Sequence, residues 1–460
     1  MNDDVIETDA PEAPSIPQYP DGVYLHMPEE HYHAQHRLSA SGIGWMMASE
    51  ADFWANSWMN PEYDDTPTDA QLLGRAFHTA RLEPELLDVR FVREIEQSDY
   101  GDDLLTTDSQ VRAKIKELQP QKEDHPEALR TDTDVKKALK ELGQPQSQAG
   151  ETAEDRQRRL RGLSAGVVFW DDIVAEWEAE HGAMREPDDE NSLDRARRLR
   201  SYGYEGPIWA LEREAFEAGL DGRTALPAKF WDQITADIEA MKVSPVASKY
   251  LTGGMTEVSI LWTDESVAGH PVKMKCRIDH LRPDLFTDVK TFDNPQRKPV
   301  RQCIADQFQF NRYYIQAVVY REGTEAVRSG RLNLMDATGE AETAFFRQIV
   351  EAEMPLRCTY VFQQKGGVPN VLACPIRFGR HHASFDAAEI GVNADTAANV
   401  KAMYSEASLF VRRAEHEVAT CIELFARCMD KYGTDRKWYP LEPEFDISDN
   451  SFRPYFLEEY

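Results

Sequence analysis

Between residues 272 and 290 apolar and polar positions alternate along the chain, in the order VKMKCRIDHLRPDLFTDVK. A short polar segment around Pro283 divides this alternation into two runs. A period of two is typical of β-strands, and two such runs joined by a turn predict a β-hairpin. Because side chains two residues apart share a face, Asp288 and Lys290 point the same way. If that face also meets Asp279 on the first strand, two carboxylates and one ammonium converge on one small volume.

Helical and strand-like patterns follow one another through the rest of the chain. Helices are predicted at 42–58 with Ser39 or Ser41 as N-cap, from about 70 through His78, at 227–250 with a stop near Ser244-Pro245, at 302–321 and at 386–432. Strands are predicted at 88–92, 256–262, 326–336, 359–364 and 370–376. The chain therefore combines α and β elements, and a segment of 460 residues can bury a sizeable core.

Changes in composition divide the chain into five segments. They are an acidic, Pro-rich, disordered lead-in at 1–22, the N-terminal part of the main domain at 23–98, a charged and mainly helical insertion at 99–225, the core at 226–435, and an acidic, aromatic tail at 436–460. Within the insertion, residues 134–162 faintly resemble the helix–extension–helix modules of the SAP type, which touch DNA. A plain helical insertion is the alternative.

The composition excludes several classes of protein. No apolar run reaches the length of a membrane span, and the N-terminus lacks the basic start and apolar stretch of a secretory signal. The six cysteines form no C-x-x-C pair, which argues against a disulfide framework, a zinc finger or an iron–sulfur cluster and fits reduced thiols in a cytoplasm. Cys421 and Cys428 lie seven residues apart and are expected on one buried helix face.

The charge of the chain is unevenly distributed. The net charge is −29, which is unfavourable for binding phosphate groups. Residues 273–301 nevertheless hold eight Lys or Arg against four Asp, a local balance of +4. A basic site in an acidic body is compatible with a channel that binds DNA. The candidate contacts are Arg277, Arg297, Lys298 and Arg301, and the alternative is that these basic residues form only a solvated face.

The hairpin suggests metal chemistry. Two clustered carboxylates repel each other unless a cation lies between them, and Mg²⁺ is a hard cation that carboxylates and water can hold. Lys290 would then orient or deprotonate an attacking water, or stabilise charge on a phosphate. The alternative is an amphipathic hairpin with Asp and Lys on its wet face. His78 follows Gly74 in a G-x-x-x-H pattern, where the small residue would allow close approach of another backbone, and a core histidine is the alternative.

The order of these motifs along the chain resembles that of a known protein family. The chain has Gly74 to His78, then Glu257 in a strand, Asp279, Asp288-Val289-Lys290, and Gln316 with Tyr320 four residues later on one helix face. This order resembles the RecB-type branch of the PD-(D/E)XK nucleases, and within it most of all the phage and prophage exonuclease VIII (RecE) family. The resemblance covers about 23–98 and 226–380 and not the insertion.

The resemblance implies a fold, an activity and roles for individual residues. The fold is an α/β (α+β) restriction-endonuclease-like core, with a mixed central sheet flanked by helices. His78, Asp279 and Asp288 would bind the metal, with the Val289 carbonyl as a further ligand. The resemblance also implies that Asp279, Asp288, Lys290 and Glu257 take part in catalysis. Gln316 and Tyr320 would position the DNA strand or the metal-site carboxylate.

The activity implied is Mg²⁺-dependent 5′-to-3′ digestion of linear duplex DNA, with Mn²⁺ as a substitute and no nucleotide. The resulting single strand would pass to a RecT-like annealing partner for recombination. A ring-shaped homo-oligomer on DNA ends and a bacterial or phage-infected cytoplasm are implied as well.

Other functions remain open. One is a non-catalytic DNA-binding or interaction protein on the same fold, although a protein without catalysis has no need of Asp279, Asp288 and Lys290 together. Another is an endonuclease or a helicase-attached nuclease, but the chain has no P-loop motif of its own. A third is an acidic protein that imitates DNA.

Overall fold

The computed structural model describes residues 16–63, 66–378 and 409–444. The chain forms two compact units, Met1–Val89 with Lys229–Tyr460, and Arg90–Ala228. The predictions for residues 1–15, 386–408 and 445–460 lie outside the described residues.

The first unit is built on a six-stranded sheet. The strands of the chain are β1 (Gly22–Tyr24), β2 (Phe91–Arg93), β3 (Thr224–Leu226), β4 (Met255–Asp264), β5 (Val272–Arg282), β6 (Leu285–Phe292), β7 (Arg357–Gln364) and β8 (Val371–Ile376). The sheet has the order β1-β4-β5-β6-β7-β8, and β6 and β7 are parallel while the other neighbours are antiparallel. This arrangement confirms the predicted mixed central sheet.

Helices account for most of the remaining described structure. They are α1 (Glu29–His33), α2 (Ala40–Met46), α3 (Glu50–Ala55), α4 (Asp69–Leu82), α5 (Leu87–Arg90), α6 (Asp108–Leu118), α7 (Asp132–Glu141), α8 (Ala153–Leu163), α9 (Trp170–His181), α10 (Ser192–Ser201), α11 (Trp209–Ala218), α12 (Ala228–Lys242), α13 (Pro245–Tyr250), α14 (Val300–Phe310), α15 (Tyr313–Arg328), α16 (Glu340–Val350) and α17 (Leu409–Tyr432).

Several predicted elements differ from the observed ones. Residues 326–336 are not a strand, because α15 continues to Arg328 and a loop follows. The helix predicted at 42–58 is two helices, since the Ser49 side chain accepts a hydrogen bond from the backbone of Asp52 and caps a second helix. The strand predicted at 88–92 begins only at Phe91. The hairpin, the strand at 256–262 and the helix stop before Pro245 are confirmed.

Helix α15 packs directly on the sheet, and this contact positions the helix residues that belong to the candidate site. Its face toward the sheet is apolar, with Val318, Val319 and Val327 fully buried. Gly323 allows the close approach, since a β-carbon there would lie 2.8 Å from the Cys276 Sγ atom on β5 and 3.0 Å from the Trp262 ring on β4. Helix α15 therefore has a fixed position over β4 and β5.

We expect Gly323→Ala to destabilise the protein, by about 1–3 kcal/mol through overpacking, although alanine is the better helix former. The matched control is Gly74→Ala in α4, where a β-carbon would meet nothing within 4 Å. That substitution should stabilise the protein by up to about 1 kcal/mol. Urea unfolding measures both, and equal effects of the two substitutions would contradict the packing argument.

The open space around Gly74 also corrects a prediction from the sequence. The G-x-x-x-H pattern suggested that a small residue lets another backbone approach α4 at this position. No described atom lies close enough for that role. The spacing of the motif is present, but its glycine serves no close packing.

The second unit, Arg90–Ala228, has its own small cores. Strands β2 and β3 pair in parallel, and helices α6–α11 lie between them in sequence. One core is formed by Val111, Ile115, Ala196, Leu199, Tyr202 and Ile208, and another by Val135, Leu139, Leu160 and Phe169. Buried Arg195 pairs with Asp108, Glu186 and Glu190, so part of the charge of this segment is internal.

Among the described residues, the structure has no helix with the length and apolar character needed to cross a membrane.

Candidate active site

The candidate site lies where β5 and β6 stop pairing. The pairs between these strands are Arg282 with Leu285, Leu281 with Phe286, and His280 with Thr287. Asp279 and Asp288 are the next residues on the two strands. The Asp279 Oδ2 atom accepts a hydrogen bond from the Val289 backbone N–H at 2.7 Å. A carboxylate side chain thus satisfies a backbone donor at the point where the two strands diverge.

Asp288 is fully buried and is held by two neighbours. Its Oδ2 atom lies 2.6 Å from the Lys290 Nζ atom, and its Oδ1 atom accepts a hydrogen bond of 2.9 Å from Gln316 Nε2 on α15. Gln316 also donates to the Tyr320 hydroxyl at 2.7 Å. The i, i+4 pair on α15 therefore fixes the orientation of a carboxylate, one of the two roles that the sequence suggested for it. The Lys290 ammonium lies 5.2 Å from the centre of the Tyr313 ring.

His78 comes to the same place from α4. Its Nδ1 atom is 3.5 Å from the Asp279 Oδ2 atom. One potential ligand atom from each of His78, Glu257 and Asp279 lies within 4.8 Å of the other two. Two carboxyl groups and an imidazole at these separations can hold a divalent cation.

Glu257 reaches this group by an unusual backbone conformation. On β4 it lies between Thr256 and Val258, whose partners on β5 flank Asp279, so the two carboxyl groups face each other across the strands. Its φ angle is +53°, in the left-handed region that costs a side chain other than glycine about 1 kcal/mol. The Arg277 guanidinium compensates part of the local charge, since its Nε atom is 2.9 Å from a Glu257 carboxyl oxygen.

The protonation equilibria reflect the burial of like charges. Burial and the neighbouring Asp279 charge raise the pKa of Asp288 to about 7 and that of Glu257 to about 8. Burial also raises the pKa of Asp279, against the opposing effect of Lys290. Burial and Lys290 lower the pKa of His78 to about 4, so its imidazole is neutral near pH 7 and can act as a ligand.

The residues present fit a divalent metal ion. Asp279, Asp288 and Glu257 bring three carboxyl groups into a buried volume in which Lys290 and Arg277 are the neighbouring cations. The raised pKa values mean that the carboxylates lack full compensation, and a bound divalent cation would supply it. His78, Glu257 and Asp279 would hold the ion, and the predicted ligands Asp288 and Val289 are their immediate neighbours.

A cavity of about 560 Å³ adjoins the Lys290 end of this group. Its lining includes the side chains of Lys290, Tyr313, Gln316 and Tyr320. None of the described residues that line it is Asp or Glu, although the chain contains 81 of them. The cationic residues of the lining are Arg37, Arg75, Lys275, Lys290 and Arg312, and the aromatic ones are Tyr32, Trp45, Phe53, Trp58, Tyr63, Phe310, Tyr313 and Tyr320.

The four residues predicted to contact DNA differ in their exposure to solvent and in their partners. Arg297, Lys298 and Arg301 are exposed, and Lys298 pairs with Asp306 at 3.0 Å. Arg277 is largely buried, pairs with Glu257, and donates a hydrogen bond to the Met27 carbonyl. None of these four residues lines the cavity beside Lys290. Their roles in DNA binding stay predictions.

Much of the cavity lining lies outside the residues predicted from the sequence. Arg75 precedes His78 by one helical turn and so lies on the same face of α4, a signal that was present in the sequence. Phe310 ends α14, and Asn311 and Arg312 form the turn before α15, in a segment that was predicted as one continuous helix. The Arg312 φ angle of +53° breaks that helix, and no local pattern announces this break.

Comparison with known proteins adds one finding. Residues 210–353 match the model of a family described as a PDDEXK-like domain of unknown function (DUF3799). The matched segment contains Glu257, Asp279, Asp288, Lys290 and Gln316, whereas His78 lies outside it. No curated protein and no solved structure matches the chain. The family match supports the PD-(D/E)XK superfamily that the order of motifs predicted.

Proposed function

We propose that this member of the PD-(D/E)XK superfamily is a divalent-metal-dependent nuclease that hydrolyses phosphodiester bonds of DNA. The observation that carries the proposal is the group of Asp279, Asp288 and Lys290. Asp288 pairs with Lys290 and is oriented by Gln316, and Asp279 accepts a hydrogen bond from the Val289 backbone between them. A protein that only bound DNA would gain nothing from burying two carboxyl groups beside each other, because carboxylates repel phosphate.

The cavity beside Lys290 supports DNA as the substrate. Arg75, Lys290 and Arg312 place positive charge in its lining, beside aromatic rings, in a chain with a net charge of −29. Cationic side chains attract a phosphodiester backbone, and aromatic rings offer faces on which bases stack. An anionic polymer would therefore enter this cavity and be repelled by much of the remaining surface.

The residues of the site divide the chemistry among them. A bound divalent ion would supply positive charge for the scissile phosphate and would lower the pKa of a bound water molecule. Asp279, Glu257 and His78 would hold that ion. Lys290 adds a positive charge beside the attacked phosphate, and Gln316 keeps Asp288 in the orientation that holds Lys290.

We further propose that the enzyme is an exonuclease that acts on linear duplex DNA in the 5′-to-3′ direction, uses Mg²⁺, and leaves single strand for a RecT-like annealing protein. A ring of several copies on a DNA end is part of the same proposal. These finer statements rest on the order of motifs from His78 to Tyr320, which resembles that of the RecE family.

Digestion of end-labelled linear duplex DNA tests the activity. We expect linear DNA to be lost in the presence of Mg²⁺ or Mn²⁺ and to stay intact in the presence of a chelator. The Asp279→Asn variant, which keeps the size of the side chain but removes its charge, should not degrade the DNA. Early release of the 5′ label would support the direction proposed.

A closed circular duplex is the control for that experiment, because an exonuclease needs an end. A circle that is spared supports the exonuclease, and a circle that is cut makes the enzyme an endonuclease. Binding of DNA without cleavage under any divalent metal would contradict the nuclease and favour a non-catalytic DNA-binding protein.

A further inference from the structure

The turn between α14 and α15 forms a ridge at the mouth of the cavity that contains Lys290. Phe310 ends α14, Asn311 follows, and Arg312 in the left-handed conformation leads into α15. Phe310 and Arg312 line this cavity and also a second one of about 800 Å³, whose lining includes Tyr314 and Arg413. The ridge thus separates two cavities that both contain aromatic and cationic side chains.

Phe310 is exposed to a degree that packing does not explain. Its side chain is 87% accessible, whereas Phe308, two residues earlier on the same helix, packs against Tyr313, Tyr360 and Phe410. An aromatic side chain in water loses the free energy that burial would give it. Its position on the ridge therefore needs a reason other than the stability of the fold.

The ridge is connected to the candidate active site. Asn311 Nδ2 donates a hydrogen bond of 3.2 Å to the Tyr313 hydroxyl, and the Tyr313 ring lies beneath the Lys290 ammonium. Phe310 is thus three residues from a side chain that contacts Lys290. A group that stacks on Phe310 would lie at the entrance of the same cavity.

We propose that Phe310 is a base-stacking residue that holds an unpaired nucleotide of single-stranded DNA at the entrance of this cavity. The inference rests on the proposed function and specifies its substrate, a DNA end with at least one unpaired nucleotide. The cationic lining and the absence of Asp and Glu among the described lining residues match a phosphodiester backbone, and an exposed aromatic face matches a base. Paired bases stack on each other and leave no free face for Phe310 except at an end.

The test measures binding of a fluorescein-labelled 12-nucleotide single strand by anisotropy, in a chelator so that no cleavage occurs. We expect Phe310→Ala to weaken binding about tenfold. Phe310→Trp should bind as the native protein does, and Phe310→Leu should resemble the alanine variant because it lacks an aromatic face. The matched control is Val243→Ala, an exposed apolar residue that lines neither cavity and whose replacement should change nothing.

The same strand with abasic positions separates stacking from contact with the backbone. Phe310→Ala should bind the abasic strand as the native protein does, since the partner of the ring is already missing. Equal weakening on both strands, or no weakening on either, would overturn the proposal. A change in sedimentation mass with unchanged DNA binding would also overturn it and make Phe310 an interface between copies of the chain.

Different experimental outcomes would contradict the proposed function and this inference. If the native protein binds single strand through Phe310 and cleaves nothing with any divalent metal, the nuclease is wrong and the stacking role stands. If it cleaves DNA and Phe310→Ala binds the single strand normally, the stacking role is wrong and the nuclease stands.

Discussion

Lys290→Ala is expected to lower the rate of DNA cleavage by about 10²–10⁴-fold while the protein stays folded and binds DNA. The Lys290 ammonium lies beside the Asp288 carboxylate at the edge of the cavity, where a scissile phosphate would meet it. Charge develops on that phosphate in the transition state, and a positive group already in place stabilises it without reorganisation.

The protonation state of Lys290 distinguishes two of its candidate roles, the deprotonation of water and the stabilisation of charge on a phosphate. Burial disfavours its charge, but Asp288 and Asp279 outweigh burial, and the pKa of Lys290 is raised above its usual value. An ammonium that keeps its proton near pH 7 cannot accept one from water. We therefore propose that Lys290 acts by its charge, and we expect Lys290→Arg to retain more activity than Lys290→Ala or Lys290→Met.

Single-turnover cleavage of labelled DNA with saturating Mg²⁺ measures these rates. The matched control is Lys242→Ala, which replaces an exposed lysine at the end of α12. This variant should cleave DNA at the native rate. A Lys290→Ala variant with the native cleavage rate would contradict the assignment of the site. Equal loss in Lys290→Arg and Lys290→Met would show that charge alone is insufficient and that the shape of the lysine matters.

The residue pattern alone predicted the part of the site that local geometry determines, whereas His78 and Glu257, on distant elements, were predicted only from the resemblance in the order of motifs. The period of two places Asp288 and Lys290 on one face, and a short turn brings Asp279 opposite them. The i, i+4 spacing places Gln316 and Tyr320 together on a helix. These relations hold within a strand, a hairpin or a helix, so a single sequence contains them.

The parts that the sequence did not predict depend on contacts between distant segments or on single backbone angles. The pattern includes Phe310 in one continuous helix, and it does not reveal that the left-handed conformation of Arg312 ends this helix just beyond Phe310. The positive φ angle of Glu257 is likewise invisible in an alternating strand pattern. The predicted strand at 326–336 failed because the tertiary packing of α15 extended the helix to Arg328.

Lys275 shows how a count of charges can mislead. It is one of the eight basic residues that suggested a binding surface between 273 and 301. In the structure its side chain is 6% accessible, and its Nζ atom donates hydrogen bonds of 2.9–3.0 Å to the carbonyl oxygens of Tyr32, His33 and Gln35. The ammonium thus ties the end of α1 and the residues after it to β5.

Lys275→Met should therefore lower the free energy of unfolding by about 3 kcal/mol, because it keeps the apolar stem and leaves buried carbonyl oxygens without their donor. The control is Lys273→Met, two residues earlier on the same strand and exposed, which should stay within about 0.5 kcal/mol of the native protein. Urea unfolding followed by tryptophan fluorescence compares the two. Equal stability of both variants would mean that the three hydrogen bonds contribute little to the stability of the protein.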